Sequence, residues 1–383
     1  MKKLKVLFVT NIISPYRIPL FNYLQGQGDY SFKVIALAER EENREWRLAK
    51  EQIKFNYKIL LGFHKFIWSK EIPIHLNWGL WKAILRYKPD IVISSGYNML
   101  AYWEAFMYCK VFKKKYILWN GTTLLSTGRI NGFIGLIKQT IIGGADRYIA
   151  YGKKAAEYLM QMGASKEYIH VGINTVDMNW FRKKMKEFNQ DENIRKERSK
   201  YPNILMLYVG RLSNNKAVFQ ILKALIELQD TDIGLLIVGG GPREKELRQL
   251  CQDRKLENVY FQGFQQQDAL PRYYFLADIL ILPTFKEVWG LVVNEALASG
   301  LYVLCSDRAG VAYDLIKEGW NGILFNPHSI KELIILMRKA KEQVEDIRAR
   351  RDAISEHACH EFSIECSAKA FSNAVEAMIS NKV

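Results

Sequence analysis

Short, continuously apolar runs recur along this chain, and stretches with helical spacing separate them. In the first half the runs cover 5–10, 32–38, 90–96, 115–120, 147–152 and 169–173. In the second half they cover 203–210, 234–241, 259–264, 277–284, 301–307 and 322–325. Most show no alternation of apolar with polar residues. A strand buried on both faces has this pattern, as when helices flank a parallel sheet. Repeated strand–helix alternation predicts an α/β chain built from doubly wound units. A chain of 383 residues exceeds one ordinary core, so two such domains are expected. The polar, strandless segment 181–202 is read as a linker between a first domain over 1–180 and a second over 203–363. Apolar residues at helical spacing mark a terminal helix within 364–383, able to pack back on the first domain. Two Rossmann-like domains facing each other are expected to leave a cleft at the carboxyl ends of both sheets.

The charge is lopsided. Residues 1–190 hold 30 Lys and Arg against 14 Asp and Glu, whereas residues 191–383 hold 25 against 26. An excess of +16 in one half calls for an anionic partner: a membrane surface, nucleic acid or a phosphorylated substrate. No apolar run reaches the roughly eighteen residues that span a bilayer. The opening "MKKLKVLFVT" is basic and then apolar, but its apolar core is too short for a signal peptide, and a first strand is expected there. Five scattered cysteines, an odd number, point to a reducing compartment.

The sharpest motifs follow strands of the second half. After 203–210 come Arg211 and Lys216, in a loop before a helix. Two cations beside helix N–H groups suit a diphosphate, though solvated loop charges would read the same way. After 234–241 stands "GGGP", where Gly239 and Gly241 let backbone approach a phosphate or simply make a turn. After 277–284 comes "TFKEVWGLVVNEALASG", with Glu287 in a loop, a helix starting near Trp289, and Glu295 inside that helix. Carboxylates accept pairs of sugar hydroxyls, and the N–H groups of Gly290 and Leu291 would meet an anion. One acid, a helix start and a second acid match the parts of a nucleotide sugar. Spacing alone leaves Glu295 open to a solvent-facing place on the helix.

These motifs, with "YVGRLSNNKAVFQILKAL", "VGGGP", "VYFQGF" and "ADILILPTFKEVWGLVVNEALASGLYVLCSD" in this order, resemble retaining glycosyltransferases of family 4, which have the GT-B fold. Bacterial polysaccharide and lipid-linked oligosaccharide assembly enzymes are the members most similar in kind. In the first half, "YGKKAAEYLMQMGASKEYIHVGINTVDMNWF" resembles the segment that ends the family's N-terminal domain. The resemblance implies that Glu287 holds the donor hexose and Glu295 the ribose. It implies that Arg211 and Lys216, with the Gly290 and Leu291 N–H groups, neutralise the diphosphate. Gln262, Gly263 and Phe264 would border the nucleobase. The implied donor is a nucleotide sugar, UDP-hexose or UDP-N-acetylhexosamine, taken as substrate with no cofactor.

The chain departs from that pattern in the first half. "TNIISPYRIPLF" replaces a glycine pair after the first strand, and Arg17 there is either an acceptor contact or a buried structural arginine. "YILWNGTTLLS" has no histidine; Asn120 and Thr122 stand on the acceptor side in its place. "CSDRAGVAYDLI" lacks a double glycine that relatives often show.

The implied reaction is hexosyl transfer with retention through an oxocarbenium-like transition state. Glu287 and Glu295, both on one domain, are assigned to donor binding, not to nucleophilic attack. No catalytic metal is expected. "DTD" at Asp230–Asp232 reads as a solvated turn, and His357, Cys359 and His360 as part of a surface helix.

The first domain is expected to choose the acceptor. Residues 64–89, 102–116 and 128–144 mix aromatic and aliphatic side chains with Lys and Arg. Such stretches suit a bilayer interface; each alone is more often a core face beside a solvated one, and it is the +16 of the whole first half that favours a membrane. A polyprenyl-diphosphate-linked glycan at the cytoplasmic face of the membrane is the expected acceptor, with the enzyme peripherally attached. Two rival classes are a nucleic-acid-binding protein, for which no known module is present, and a sugar-nucleotide epimerase or non-catalytic scaffold of similar fold.

Overall fold

The computed structural model describes residues 3–27, 30–42, 44–67, 72–127 and 133–379. The chain divides into two compact units, 1–174 with 364–383, and 175–363.

In the first unit a seven-stranded sheet has the order β3-β2-β1-β6-β7-β8-β9. Its strands are β1 (Leu4–Thr10), β2 (Tyr30–Ala36), β3 (Asn56–Ile59), β6 (Ile91–Ser94), β7 (Lys115–Asn120), β8 (Arg147–Ala150) and β9 (Ile169–Val171). All pairs are parallel. β4 (Gly62–Ile67) and β5 (Ile72–Asn77) form a separate antiparallel pair. Along β1, Leu7 and Val9 enter one core and Val6 and Phe8 the other, so both faces are covered. That double burial is why the strand reads as continuously apolar. Helix Ile364–Ile379 closes the second face: Phe371 lies among Phe8 and Trp119, its ring centroid 5.3 Å from that of Trp119.

The second unit holds β10 (Ile204–Val209), β11 (Ile233–Val238), β12 (Val259–Gly263), β13 (Ile279–Leu282), β14 (Tyr302–Ser306) and β15 (Gly322–Phe325). The order β12-β11-β10-β13-β14-β15 is again all parallel. Order reverses at β10 and β13, whose carboxyl ends flank a switch point. All twelve apolar runs of the sequence form strands of the two sheets.

The expected linker is a correction. Residues 181–202 are mostly helical, within helices Met178–Gln190 and Glu192–Arg198, and belong to the second unit. Asp177 and Asp191 cap the two helices, their side chains accepting from Trp180 N at 3.0 Å and Asn193 N at 2.9 Å. Phe181 is buried edge-on against Tyr274, centroids 5.8 Å apart, and Phe188 meets Phe275 at the same separation. Arg198 then donates to the buried Asp278 at 2.9 Å. Among many charges, this thin apolar stripe at helical spacing was outweighed by polarity.

Candidate functional site

The loops that leave β10 and β13 are tied to one another. Asn215 O accepts from Thr284 Oγ1 and from Phe285 N, both at 2.9 Å. This brings Lys216 to Glu287, and their side chains form a partly buried ion pair. Behind them Ser306 donates to Thr284 O at 2.7 Å, and Gly310 N to Glu287 O at 3.2 Å, which fixes the Glu287 backbone. Arg211 shares the loop after β10, and its carbonyl accepts from Tyr208 Oη at 2.8 Å.

Helix Leu291–Ala298 begins two residues later than Trp289. Gly290 precedes it with φ of 108°, a left-handed conformation that favours glycine. No side chain caps this helix start. Its first N–H groups therefore stay available to an anion beside Lys216 and Glu287. Trp289 is buried and anchors the turn, its indole N–H reaching Asn294 Oδ1 at 3.0 Å.

Glu295 has no exposed surface at all. The open possibility of a solvent-facing side chain is thereby removed. Tyr274 donates to Oε2 at 2.6 Å, while Oε1 has no hydrogen-bond partner. Burial pushes the carboxyl up to about 8 against the hydrogen bond from Tyr274. Glu287 faces a loop and Glu295 the interior, so the two carboxylates occupy different environments.

Gly239 and Gly241 have a structural duty. A Cβ on Gly239 would fall 1.9 Å from Gly210 O, and one on Gly241 2.6 Å from Leu212 O. Gly239 N donates to Gly263 O at 2.8 Å and Leu212 N to Gly240 O at 2.9 Å, so the glycines let three strand ends meet. Gln262, Gly263 and Phe264 end the edge strand β12, with Gly263 at φ of 67° and open space around it. Phe264 is exposed beside them.

In the first unit Arg17 is committed to its neighbours. The guanidinium lies 4.0 Å from the Trp119 ring centroid and donates to Asn174 Oδ1 at 2.5 Å and Tyr151 Oη at 3.0 Å. Of the two readings of Arg17, the structural one accounts for these contacts. Asn120 is buried, and its amide closes its own turn, to Thr122 O and from Thr122 N, both at 3.2 Å. Thr122 lies in that turn, partly exposed.

One cluster escaped the sequence reading. Asn11, at the end of β1, donates to Glu41 Oε1 at 2.7 Å, and His75 Nε2 lies 3.2 Å from the same oxygen. His75 Nδ1 lies 2.9 Å from His64 Nδ1. A carboxylate only accepts, so His75 donates from Nε2, and the roles of the two Nδ1 atoms follow from the tautomers of the pair. Burial would raise the Glu41 carboxyl, but the hydrogen bonds from His75 and Asn11 hold it below its ordinary value. A cavity of about 530 Å³ opens beside this relay, with Arg40, Arg44 and Lys65 on its walls. The histidines sit on the antiparallel hairpin, far in sequence from the motifs, and only the pairing of β4 with β5 brings them to Glu41.

Two parallel sheets of Rossmann-like type define a GT-B glycosyltransferase fold. In agreement, HepE of Anabaena, solved with UDP, superposes over 98% of this chain and 100% of its own, with a TM-score of 0.77 and 17% identity. Residues 189–360 match the family of glycosyl transferases group 1. The sulfoquinovosyl transferase of Arabidopsis thaliana is 26% identical over 265 residues, 67% of this chain and 50% of the relative. A D-inositol 3-phosphate glycosyltransferase of Thermomonospora curvata is 25% identical over 221 residues, 54% of this chain and 51% of the relative. The chain thus spans about half the length of these curated relatives.

Proposed function

We propose that the protein is a retaining, metal-independent glycosyltransferase of family 4. It moves a hexose-type sugar from a UDP-linked donor to a glycan acceptor in surface polysaccharide assembly. The observation that carries this reading is the Lys216–Glu287 pair beside the uncapped helix start at Gly290. Lys216 and Arg211 receive the diphosphate with the Gly290 and Leu291 N–H groups, and Glu287 holds the hexose hydroxyls. Such preorganised donors stabilise the charge that builds on the leaving diphosphate. Gln262, Gly263 and Phe264 at the end of β12 border the base. The unpaired Oε1 of Glu295 is the acceptor offered to a ribose hydroxyl, once the side chains enclosing it give way. That HepE has also been solved with UDP-glucose supports a UDP-linked donor. The acceptor is a polyprenyl-diphosphate-linked glycan, in keeping with the basic first half, and the enzyme works on the inner face of the cell membrane without a cofactor.

The test is transfer from labelled UDP-sugars to a polyprenyl-diphosphate-linked sugar, with the anomeric configuration of the product read by NMR. Glycan product with the donor's configuration supports the reading. Conversion of the donor without acceptor would instead establish an epimerase, and binding without turnover a scaffold.

A further inference from the structure

The β4–β5 hairpin turns His64, Phe66, His75 and Asn77 inward and leaves Phe63, Ile74 and Leu76 exposed on its outer side. Directly opposed residues share a face. His64 opposes His75, and Gly62 opposes Asn77; on the other face Phe63 opposes Leu76, and Lys65 opposes Ile74. The first face is turned in: His75 is buried against Glu41, and Asn77 donates to Leu37 O at 2.6 Å. The second is turned out, with Phe63 53% and Leu76 46% exposed. A strand that is covered on one side ordinarily carries polar residues on its outer face.

The outward face continues past the hairpin. Trp78 N bonds to Leu61 O at 3.2 Å, and these two side chains are 68% and 84% exposed. Helix Leu80–Tyr87 then buries Leu80 and Ile84 and leaves Trp81, Lys82 and Arg86 outside. The Trp81 ring meets that of Phe112, which is itself exposed.

We propose that this face is a membrane-docking element whose apolar side chains enter the headgroup region of an anionic bilayer. Indole and phenyl rings beside cations are the composition of an interfacial surface. Residues 54–89 hold seven Lys and Arg against one acid, Glu71, while of the four Lys in 105–116, Lys114 and Lys115 pair with Asp90 and Asp146 and leave Lys110 and Lys113 to add to the excess. That balance complements anionic lipid. A second copy of the chain is the poorer occupant, because a two-fold contact would set the same cations against each other. The Glu41–His75 contact and the buried Phe66 fasten the inner face, which keeps Phe63 and Leu76 outside. The inference rests on the proposed function only for its use, which is to bring the enzyme to a lipid-linked acceptor.

The experiment is co-sedimentation of the full chain with vesicles of phosphatidylcholine alone, and of phosphatidylcholine with phosphatidylglycerol at about 3:1. Binding to the anionic vesicles is expected. In the triple variant Phe63→Ser, Leu76→Ser, Trp78→Ser it falls about tenfold or more. Transfer to a short water-soluble acceptor stays unchanged in that variant, which also reports that it folds. A second reading needs only one mild substitution: brominated lipid quenches tryptophan fluorescence in the wild type, and less so in Trp78→Phe. Vesicle binding that the triple variant retains, or none in the wild type, overturns the proposal. So does a wild-type dimer, seen by light scattering, that the variant dissolves. Transfer to the soluble acceptor without vesicle binding removes the docking element and leaves the proposed function. Vesicle binding without turnover of any nucleotide sugar does the reverse.

Discussion

Lys216 and Glu287 are 71 positions apart in the chain, yet they form an ion pair at the switch point of the second sheet. Each follows one of two neighbouring strands, β10 and β13. The pairing presents one cation and one carboxylate at the place where an open α/β sheet receives its ligand.

Replacing Lys216 with Met removes the charge and keeps most of the side-chain volume. Transfer from a UDP-sugar is expected to fall by about 100-fold or more in kcat, as for loss of one preorganised donor to a leaving group. The melting temperature should move little, since the pair is partly exposed and such pairs contribute weakly to stability. Steady-state kinetics and a thermal melt on the same preparation check both halves of the expectation.

Glu295 gives a pH signature. Its folded value of about 8 stands above the ordinary 4.5, so the native state holds a proton that the unfolded chain releases. Its contribution to stability is therefore full below about 4.5, declines as pH rises, and is lost above about 8. In that window the slope reaches at most about 1.4 kcal/mol per pH unit. Glu295→Gln removes it, so the variant should gain on the wild type between pH 5 and 8.5. Urea unfolding of both proteins across that range is the measurement.

Most of the twelve strands were legible because burial on both faces leaves few polar positions to obscure them; the edge strands β9 and β12, only partly buried, were legible from their apolar residues alone. β3, β4 and β5 were not: Asn56–Ile59 is mostly exposed, and the hairpin alternates polar with apolar residues. The paired glutamates were legible as a spacing. Spacing gives a position along a helix but not the direction of the side chain, so the burial of Glu295 against Tyr274 had to come from packing. The duty of Asn120 was hidden for a related reason: a side chain that closes its own turn has the same sequence as one that faces a ligand.

The glycines separate conformation from contact. Gly263→Ala meets no atom within 4 Å and pays only for its left-handed backbone, about 1–2 kcal/mol. Gly239→Ala places Cβ against the carbonyl of Gly210, which must move, and should cost at least about twice as much. Denaturant midpoints of the two variants test the order.

Arg17→Lys distinguishes structure from acceptor recognition. Lysine loses the planar contact with Trp119 and can no longer serve Asn174 and Tyr151 together. A loss of about 2 kcal/mol in stability is expected, with the KM for the UDP-sugar unchanged. A wild-type melting curve combined with a raised acceptor KM would assign Arg17 to the acceptor instead.

The central claim is that a nucleotide sugar binds at Lys216 and Glu287. The most direct test is a thermal-shift panel of UDP-, GDP- and ADP-linked sugars against the wild type, Lys216→Met and Glu287→Gln. A ligand that binds only the folded state raises its melting temperature. The expected result is a rise with a UDP-sugar in the wild type that is mostly lost in Lys216→Met and reduced in Glu287→Gln. Equal rises in all three proteins, or no rise with any nucleotide sugar, would contradict the account.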